Sequence, residues 1–527
     1  MKIDMVKPTP ARWYGTRLAG DELFNMQMKT GPKQIGALAT MLALSPSMMA
    51  STPQDRVEPL LLEALRRGGG EIVFSTKLTR FEQDESGVIA TLRSNGSADG
   101  KEEQGRAQWL VACDGSSSPI RKALRIPTHG REPLGHILGL YFHADLSRWS
   151  HERPAMLYWL IDAKHPAIFI APDGAKRWVL HVPWNPETES FSDYTPERCI
   201  EIARYCIGAD VPIDMRSILP WVITSQIADR FREGRVLVAG DAAHRFSPAG
   251  GSGLNAGVQD AHNLAWKLAE QIRGNASAAL LDTYEQERKP IAEVIGEISV
   301  ANAIGKGEQL MHPPAPFNVI GPERGQQGER LAKGEVTLDE MRKEIAASLK
   351  SEMTPAQMIK TSDFLYAFLE GAIAVDSPEP GITQGKLPTG RPGERAPHFG
   401  LLDPDAPTWS RLLCRTLGWV PWIKSFASTK LKRSSHDLFG ESFVLLTVSG
   451  QAERWRKAAD GVEPRVQVIG VGSDVVDLNG DFRKLCRIDE GAMLVRPDGY
   501  VMWSSRRAVP NPRQALDEIF QQVLGKT

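Results

Sequence analysis

The chain has 527 residues, and at about 150 residues per domain this predicts three or four structural units. With 63 basic against 64 acidic residues, 24% charged and 42% hydrophobic, it carries a net charge of −1 and the composition of an ordinary soluble protein. That balance excludes a polyanion-binding surface spread over the whole chain, so recognition has to come from local sites.

Five cysteines (Cys113, Cys199, Cys206, Cys414 and Cys486) and no Cys-x-x-Cys exclude a disulfide framework and zinc or dithiol chemistry, and fit a reducing cytoplasm. The N-terminus lacks a signal-peptide core, and the longest nearly apolar stretch, Ile35–Leu44, is about half of the ~20 residues a membrane span needs. A cytoplasmic location without membrane or nucleic-acid partners is expected.

In chain order, Arg12–Leu23 reads as a hairpin. Val57, Leu60, Leu61, Ala64 and Leu65 recur at helical spacing until Gly68–Gly70 stop the helix. Ile72–Phe74, Leu78–Phe81 and Gly87–Leu92 are predicted strands, Asn95–Gly105 a polar loop, and Trp109–Ala112 a short strand ending at Cys113-Asp114-Gly115. From about 135 to 230, short strands broken by Pro, Asp and Gly predict an antiparallel sheet inserted between two halves of another domain. Its Trp159, Phe169, Trp178 and Trp184 read as core or as an aromatic wall over a planar ligand. Its His136, His143, His165 and His181 read better as framework than as ligand contacts. Cys199 and Cys206 fall on one face of a helix, as packing residues.

Val236–Asp241 is a buried strand, helical periodicity runs from Asn255 to Ile304, and a charged helix begins at Leu338. A boundary is expected near Gly385–Phe399. Beyond it, β-α-β followed by a hairpin turning at Pro497-Asp498-Gly499 and a final helix form a thioredoxin-like pattern.

The densest chemical signal is VLVAGDAAHRFSPAGGSGLNAGVQDAHNLAWKLAE, Val236–Glu270. A buried strand delivers Gly240 and Asp241 to a loop, and Gly250, Gly251 and Gly253 let backbone approach a flat ligand. The helix from about Leu254 and Asn255 points free N–H groups and its positive dipole end there. Asp241, at the carboxyl end of the strand, is placed to accept hydrogen bonds from a polyol chain. A strand, glycine turn and helix without a ligand is the competing reading of the glycines alone.

This segment resembles the GD motif of the class A FAD-dependent aromatic monooxygenases, relatives of para-hydroxybenzoate, phenol and 3-(3-hydroxyphenyl)propionate hydroxylases. The match extends through His244, Pro248, Asp260, Asn263, Trp266 and Lys267. The resemblance implies that Asp241 bonds the FAD ribityl chain, and that Pro248 and the following glycine turn lie against the isoalloxazine. Trp109–Leu124 resembles the family's DG motif, which implies a pyrophosphate-side role for Asp114 and a phosphate contact for Arg121. Asp114 as a plain helix cap is the competing reading. Gln54 resembles the family's FAD-contacting Gln. Tyr284 and Arg288 match a helix-closing pattern and read as structural.

The family's opening β-α-β unit with G-x-G-x-x-G has no counterpart here, so an N-terminally incomplete FAD domain is expected. The implied architecture is mixed α/β. A first part of the FAD domain spans 1–134, a substrate-covering antiparallel sheet 135–230, a second FAD part with a helical region 231–390, and a thioredoxin-like domain 391–527 for packing or homodimer support. The implied reaction is NAD(P)H- and O2-dependent hydroxylation of a phenolic substrate through a flavin C4a-hydroperoxide, with no residue assignable as phenol base and no metal. A weakly FAD-binding remnant of the fold, or a flavin reductase without oxygen insertion, are the alternatives.

Overall fold

The computed structural model describes residues 12–26, 44–47, 52–94, 102–303, 322–348, 368, 370–374, 388–405, 432–477 and 479–525. Most of the apolar stretch Ile35–Leu44, residues 95–101 of the expected polar loop, Cys414 and residues 385–387 of the expected boundary lie outside them.

The first half of the chain is mostly strand. The hairpin β1 (Arg12–Gly15) and β2 (Glu22–Met26) is followed by helix α1 (Gln54–Arg67). Strands β3 (Thr76–Asp84), β4 (Gly87–Ser94) and β5 (Glu102–Ala107) form an antiparallel meander. Strand β6 (Leu110–Ala112) leads to the short helix α2 (Pro119–Ala123). Next come β7 (Thr128–His143), α3 (Ser147–Glu152), β8 (Leu157–Leu160), β9 (Ala167–Ile170) and β10 (Arg177–Pro183). Helix α4 (Pro196–Ile207) precedes the long β11 (Asp214–Ala228).

The middle is helical. Strands β12 (Arg232–Glu233), β13 (Val236–Val238) and β14 (His244–Arg245) give way to α5 (Ser252–Ile272) and α6 (Ala279–Ala303), then α7 (Pro322–Ala332) and α8 (Leu338–Ser348). The last part holds β15 (Gly400–Leu402), β16 (Lys432–Ser434), β17 (Phe443–Val448), α9 (Ser449–Ala459), β18 (Val466–Val471), β19 (Val476–Asp477), α10 (Asp481–Cys486), β20 (Ala492–Val495), β21 (Val501–Ser505) and α11 (Pro512–Leu524).

The expected strand at Ile72–Phe74 does not form. A strand needs a hydrogen-bonded neighbour, none of the described strands runs beside these residues, and all three are exposed. The polar loop is also shorter than expected, because Glu102–Gly105 pair with β4.

Eight strands build the central sheet in the order β14-β11-β7-β10-β9-β8-β1-β2, antiparallel except for the parallel pair β1–β8. Alternation in β10 decides its two faces: Trp178, Leu180 and Val182 point to one side, Arg177, Val179 and His181 to the other. The first side packs Leu138, Leu140, Phe142, Trp178 and Leu180 on α4, whose Cys199 and Cys206 are fully enclosed. Helix α4 is well specified. Thr195 caps its first turn by accepting from Arg198 N at 3.3 Å, Pro196 occupies N1, and Gly208 ends it. On the second side, Tyr14, Trp159 and Ile168 are covered by Leu331 of α7, Val336 of the turn after it, and Met341 and Ile345 of α8. The rest of that side, on β10, β7 and β11, faces the loop between β14 and α5, whose Ala249 packs with Ile137, Ile223 and Trp221.

A small sheet, β12-β13-β6, joins Val236–Val238 to Leu110–Ala112 in parallel and so brings the two halves of the motif region together. The C-terminal sheet runs β18-β17-β20-β21, with β17–β18 parallel and the other pairs antiparallel, which is thioredoxin-like. It docks on α5 and α6 through fully buried charges. Glu287 accepts from Lys267 Nζ at 2.8 Å, from Arg496 at 2.6 and 3.0 Å, and from Asn263 at 2.6 Å, while Asp498 also holds Arg496. No described helix is long and apolar enough to cross a membrane.

Candidate functional site: the glycine loop and the sheet face opposite it

Strand β13 is followed by Ala239, whose N–H donates to Ala112 O at 3.0 Å, and the chain then makes one tight turn through Gly240–Ala242. Gly240 takes φ +58°, and its Cα lies so near Gly257 that a side chain on Gly257 would sit 3.4 Å from it. The turn therefore rests directly on α5.

Asp260 holds that turn from behind. It is fully enclosed, accepts from Gly240 N at 3.1 Å and from His244 Nε2 at 2.6 Å on one oxygen, and from Arg288 Nε at 2.8 Å on the other. Burial pushes its carboxyl upward, but the Arg288 and His244 charges outweigh burial and keep it below the usual range. With Asp260 ionised, the His244 proton on that bond belongs to Nε2, and His244 Nδ1 has no hydrogen-bond partner among the described residues. Tyr284 donates to Val238 O at 3.1 Å, so both Tyr284 and Arg288 serve the frame.

The front of the loop is open. Asp241 is exposed, and no hydrogen bond engages its carboxylate among the described residues. Gly251 takes φ +70° as the N-cap of α5, with no side-chain cap and no acidic residue in the first turn, so the helix N–H groups face outward unmasked. A Cβ on Gly251 or Gly253 would meet nothing within 4 Å. Pro248, Gly250 and Leu254 are exposed beside them, and Asn255 Nδ2 donates back to Gly251 O at 2.9 Å.

The DG segment lies behind this loop. Asp114 accepts from Ser118 Oγ at 2.6 Å and from Ile120 N at 3.0 Å, which caps α2. Arg121 is buried and donates to Ala242 O at 2.7 Å and to Ser116 O at 3.4 Å, tying the two motifs together, while its Nε is unpaired among the described residues. Gln54 starts α1, is exposed, and donates to Glu58 at 2.7 Å. Its neighbour Asp55 pairs with Arg177 of β10, which anchors this end of α1 to the sheet. None of the residues of α1 is buried.

Of the four aromatic residues singled out as a wall, Phe169 and Trp178 belong to the core on α4, Trp159 lies under α7 and α8, and Trp184 packs at the margin of the α4 core. The aromatic residues on the side facing the loop are instead Tyr141 and Trp221, with His181 between them. Tyr141 Oη lies 3.1 Å from His143 Nε2. Trp221 escaped sequence reading because β11 continues past two irregular pairings that no residue pattern announces.

A family model described as an FAD binding domain matches residues 15–298, and one described as the C-terminal domain of aromatic-ring hydroxylases matches residues 422–527. Aklavinone 12-hydroxylase of Streptomyces purpurascens is 33% identical over 92% of this chain and 80% of its own length. 2,4-Dichlorophenol 6-monooxygenase of Delftia acidovorans is 28% identical over 97% of this chain and 85% of its own. Among solved structures, the flavin-dependent monooxygenase PieE in complex with FAD and substrate superposes with a TM-score of 0.75 at 28% identity, over 98% of this chain and 87% of PieE. This chain belongs to the FAD-dependent aromatic-ring and polyketide hydroxylases, and it is an FAD-dependent aromatic monooxygenase.

Proposed function

We propose that this enzyme hydroxylates a phenolic or polycyclic aromatic compound, consuming NAD(P)H and O2, with FAD held at the glycine loop. The observation that carries the reading is the pairing of an unengaged, exposed Asp241 carboxylate with an open glycine turn at an uncapped helix N-terminus. A flavin needs a carboxylate for its polyol, a flat approach for its ring system, and N–H donors near the ring oxygens. Asp241, the Pro248–Gly253 loop and the first turn of α5 offer these three, so the residues present fit the cofactor.

Gly240, Asp241, Pro248, Gly250, Gly251, Gly253, Leu254 and Asn255 would hold it, with Gln54 at the approach from α1. Asp114 and Arg121 act on it through the frame: the first caps α2, and the second fixes the Ala242 carbonyl next to Asp241. When bound, the flavin supplies hydride acceptance from NAD(P)H and activation of O2. The chain's own residues orient the ring to be hydroxylated and exclude water, with the second side of the large sheet as the opposite wall. The split FAD region (1–134 and 231–390), substrate sheet (135–230) and C-terminal domain (391–527), with a cytoplasmic enzyme that forms a homodimer, belong to the same proposal. The remnant and reductase alternatives gain nothing from the relatives, whose names are those of hydroxylases and monooxygenases.

Purified protein with visible flavin absorbance near equimolar occupancy, and labelled oxygen from O2 in a hydroxylated phenol, is the expected result. A colourless protein that ignores added FAD, or a product free of label, rejects the reading.

A further inference from the structure

The second side of the sheet carries one polar side chain whose position its own fold does not explain. His181 lies on β10 directly across from Gly139 of β7 and Ile168 of β9. Because Gly139 has no side chain, the Trp221 indole lies over it, with Nε1 only 3.2 Å from where a Cβ would be. The indole thereby reaches His181, ring centroids 5.1 Å apart at 67°. Trp221 also packs on the cluster containing Ala249 of the glycine loop. A continuous path of contact therefore runs from the loop, through Trp221, to the His181 ring.

His181 is only partly covered, and neither ring nitrogen has a hydrogen-bond partner among the described residues. This differs from His244, which bonds Asp260, and from His143, which lies against Tyr141 Oη. Burial alone pulls the His181 imidazole down to about 4, so at neutral pH it is uncharged and offers one donor and one acceptor. A polar group set within an aromatic wall, with that capacity unspent, is the usual way a mostly apolar site orients a planar ligand.

We propose that His181, flanked by Trp221 and Tyr141, is a specificity-determining residue that accepts a hydrogen bond from the hydroxyl of the aromatic substrate. Trp221 supplies the apolar edge along which the ring lies, and a hydroxyl pointed at His181 leaves the opposite part of the ring toward the glycine loop. This rests on the reading of the site as an FAD-dependent hydroxylase and adds which hydroxylated edge of the substrate it recognises. No proton is transferred in the bound state; the imidazole stays neutral and sets orientation.

The test uses the full chain loaded with FAD and two probe pairs: 2,4-dichlorophenol with 2,4-dichloroanisole, and 1-naphthol with 1-methoxynaphthalene. Binding is read from perturbation of the flavin absorption bands and from tryptophan fluorescence. The wild type is expected to bind at least one phenol more tightly than its methyl ether. His181→Leu is expected to raise the Kd of that phenol about tenfold, leave the ether unchanged, and keep FAD occupancy at the wild-type level. His181→Asn, which keeps an acceptor, is expected to recover most of the loss. The inference is overturned if His181→Leu weakens phenol and ether equally or affects neither, or if FAD-loaded wild type binds no phenol of either pair. Failure of the wild type to take up FAD is a separate outcome that rejects the hydroxylase reading itself and this inference with it.

Discussion

Two aspartates that meet at one tight turn, Asp241 within it and Asp260 on α5 behind it, stand in opposite situations. Asp260 is sealed behind the turn with three hydrogen-bond donors on its two oxygens, whereas Asp241 stands in front with none among the described residues. A buried carboxylate without partners costs several kcal/mol, so Asp260 belongs to the frame and could not stay there alone. An exposed carboxylate carries no such obligation and is free for a ligand. The turn thus combines a rigid back with an open front, the arrangement a site needs when a large planar cofactor must meet backbone at close range.

Glu287, on the same helix pair, offers the largest way to break the back. Glu287→Ala leaves Lys267 enclosed without its carboxylate and Arg496 with Asp498 alone, and is expected to destabilise the protein by about 3–5 kcal/mol in urea titrations. The acid limb of stability reports the same group. Burial opposes ionisation, but Arg496 and Lys267 pull the Glu287 carboxyl from 4.5 down to about 2. Its contribution is therefore complete above pH 4.5 and lost as pH falls from there toward 2, and Glu287→Gln should flatten that part of the pH–stability curve.

Asp260→Asn removes the charge between His244 and Arg288 and should cost about 3 kcal/mol, with FAD retention falling in parallel because Gly240 loses its anchor. Asp241→Ala sharpens the contrast: apoprotein stability should move by less than about 0.5 kcal/mol while FAD affinity falls at least tenfold, and unchanged occupancy would remove Asp241 from the site. Gly251→Ala is expected to have the smallest effect on FAD affinity, as the new methyl enters the open space, and to cost about 1 kcal/mol of stability from its positive φ without any steric clash.

Much of this was legible in residue order. Thr195-Pro196 and Gly208 delimit α4 by local backbone chemistry, and the β17–β18 and β20–β21 units follow from apolar runs with a Pro-Asp-Gly turn. The glycine loop and Asp241 were visible because close backbone approach restricts residue type at each position. Ile72–Phe74 misled, since apolar β-branched and aromatic residues describe a strand only where a neighbour supplies the ladder.

The sequence by itself determined the elements whose signals are local: caps, turns, alternation, and the Gly-rich turn with its aspartate. Only the tertiary structure decided which side of the large sheet meets that turn. That choice sent Trp178 and Phe169 into the α4 core and left Trp221, Tyr141 and His181 facing the loop. Alternation separates the faces of a strand without saying which face will be covered, and irregular pairings in β11 reset the register on the way. The partners of Asp260, Arg121 and Glu287 were equally invisible, because they sit on other elements and are selected by the packing of α5, α6 and the C-terminal sheet.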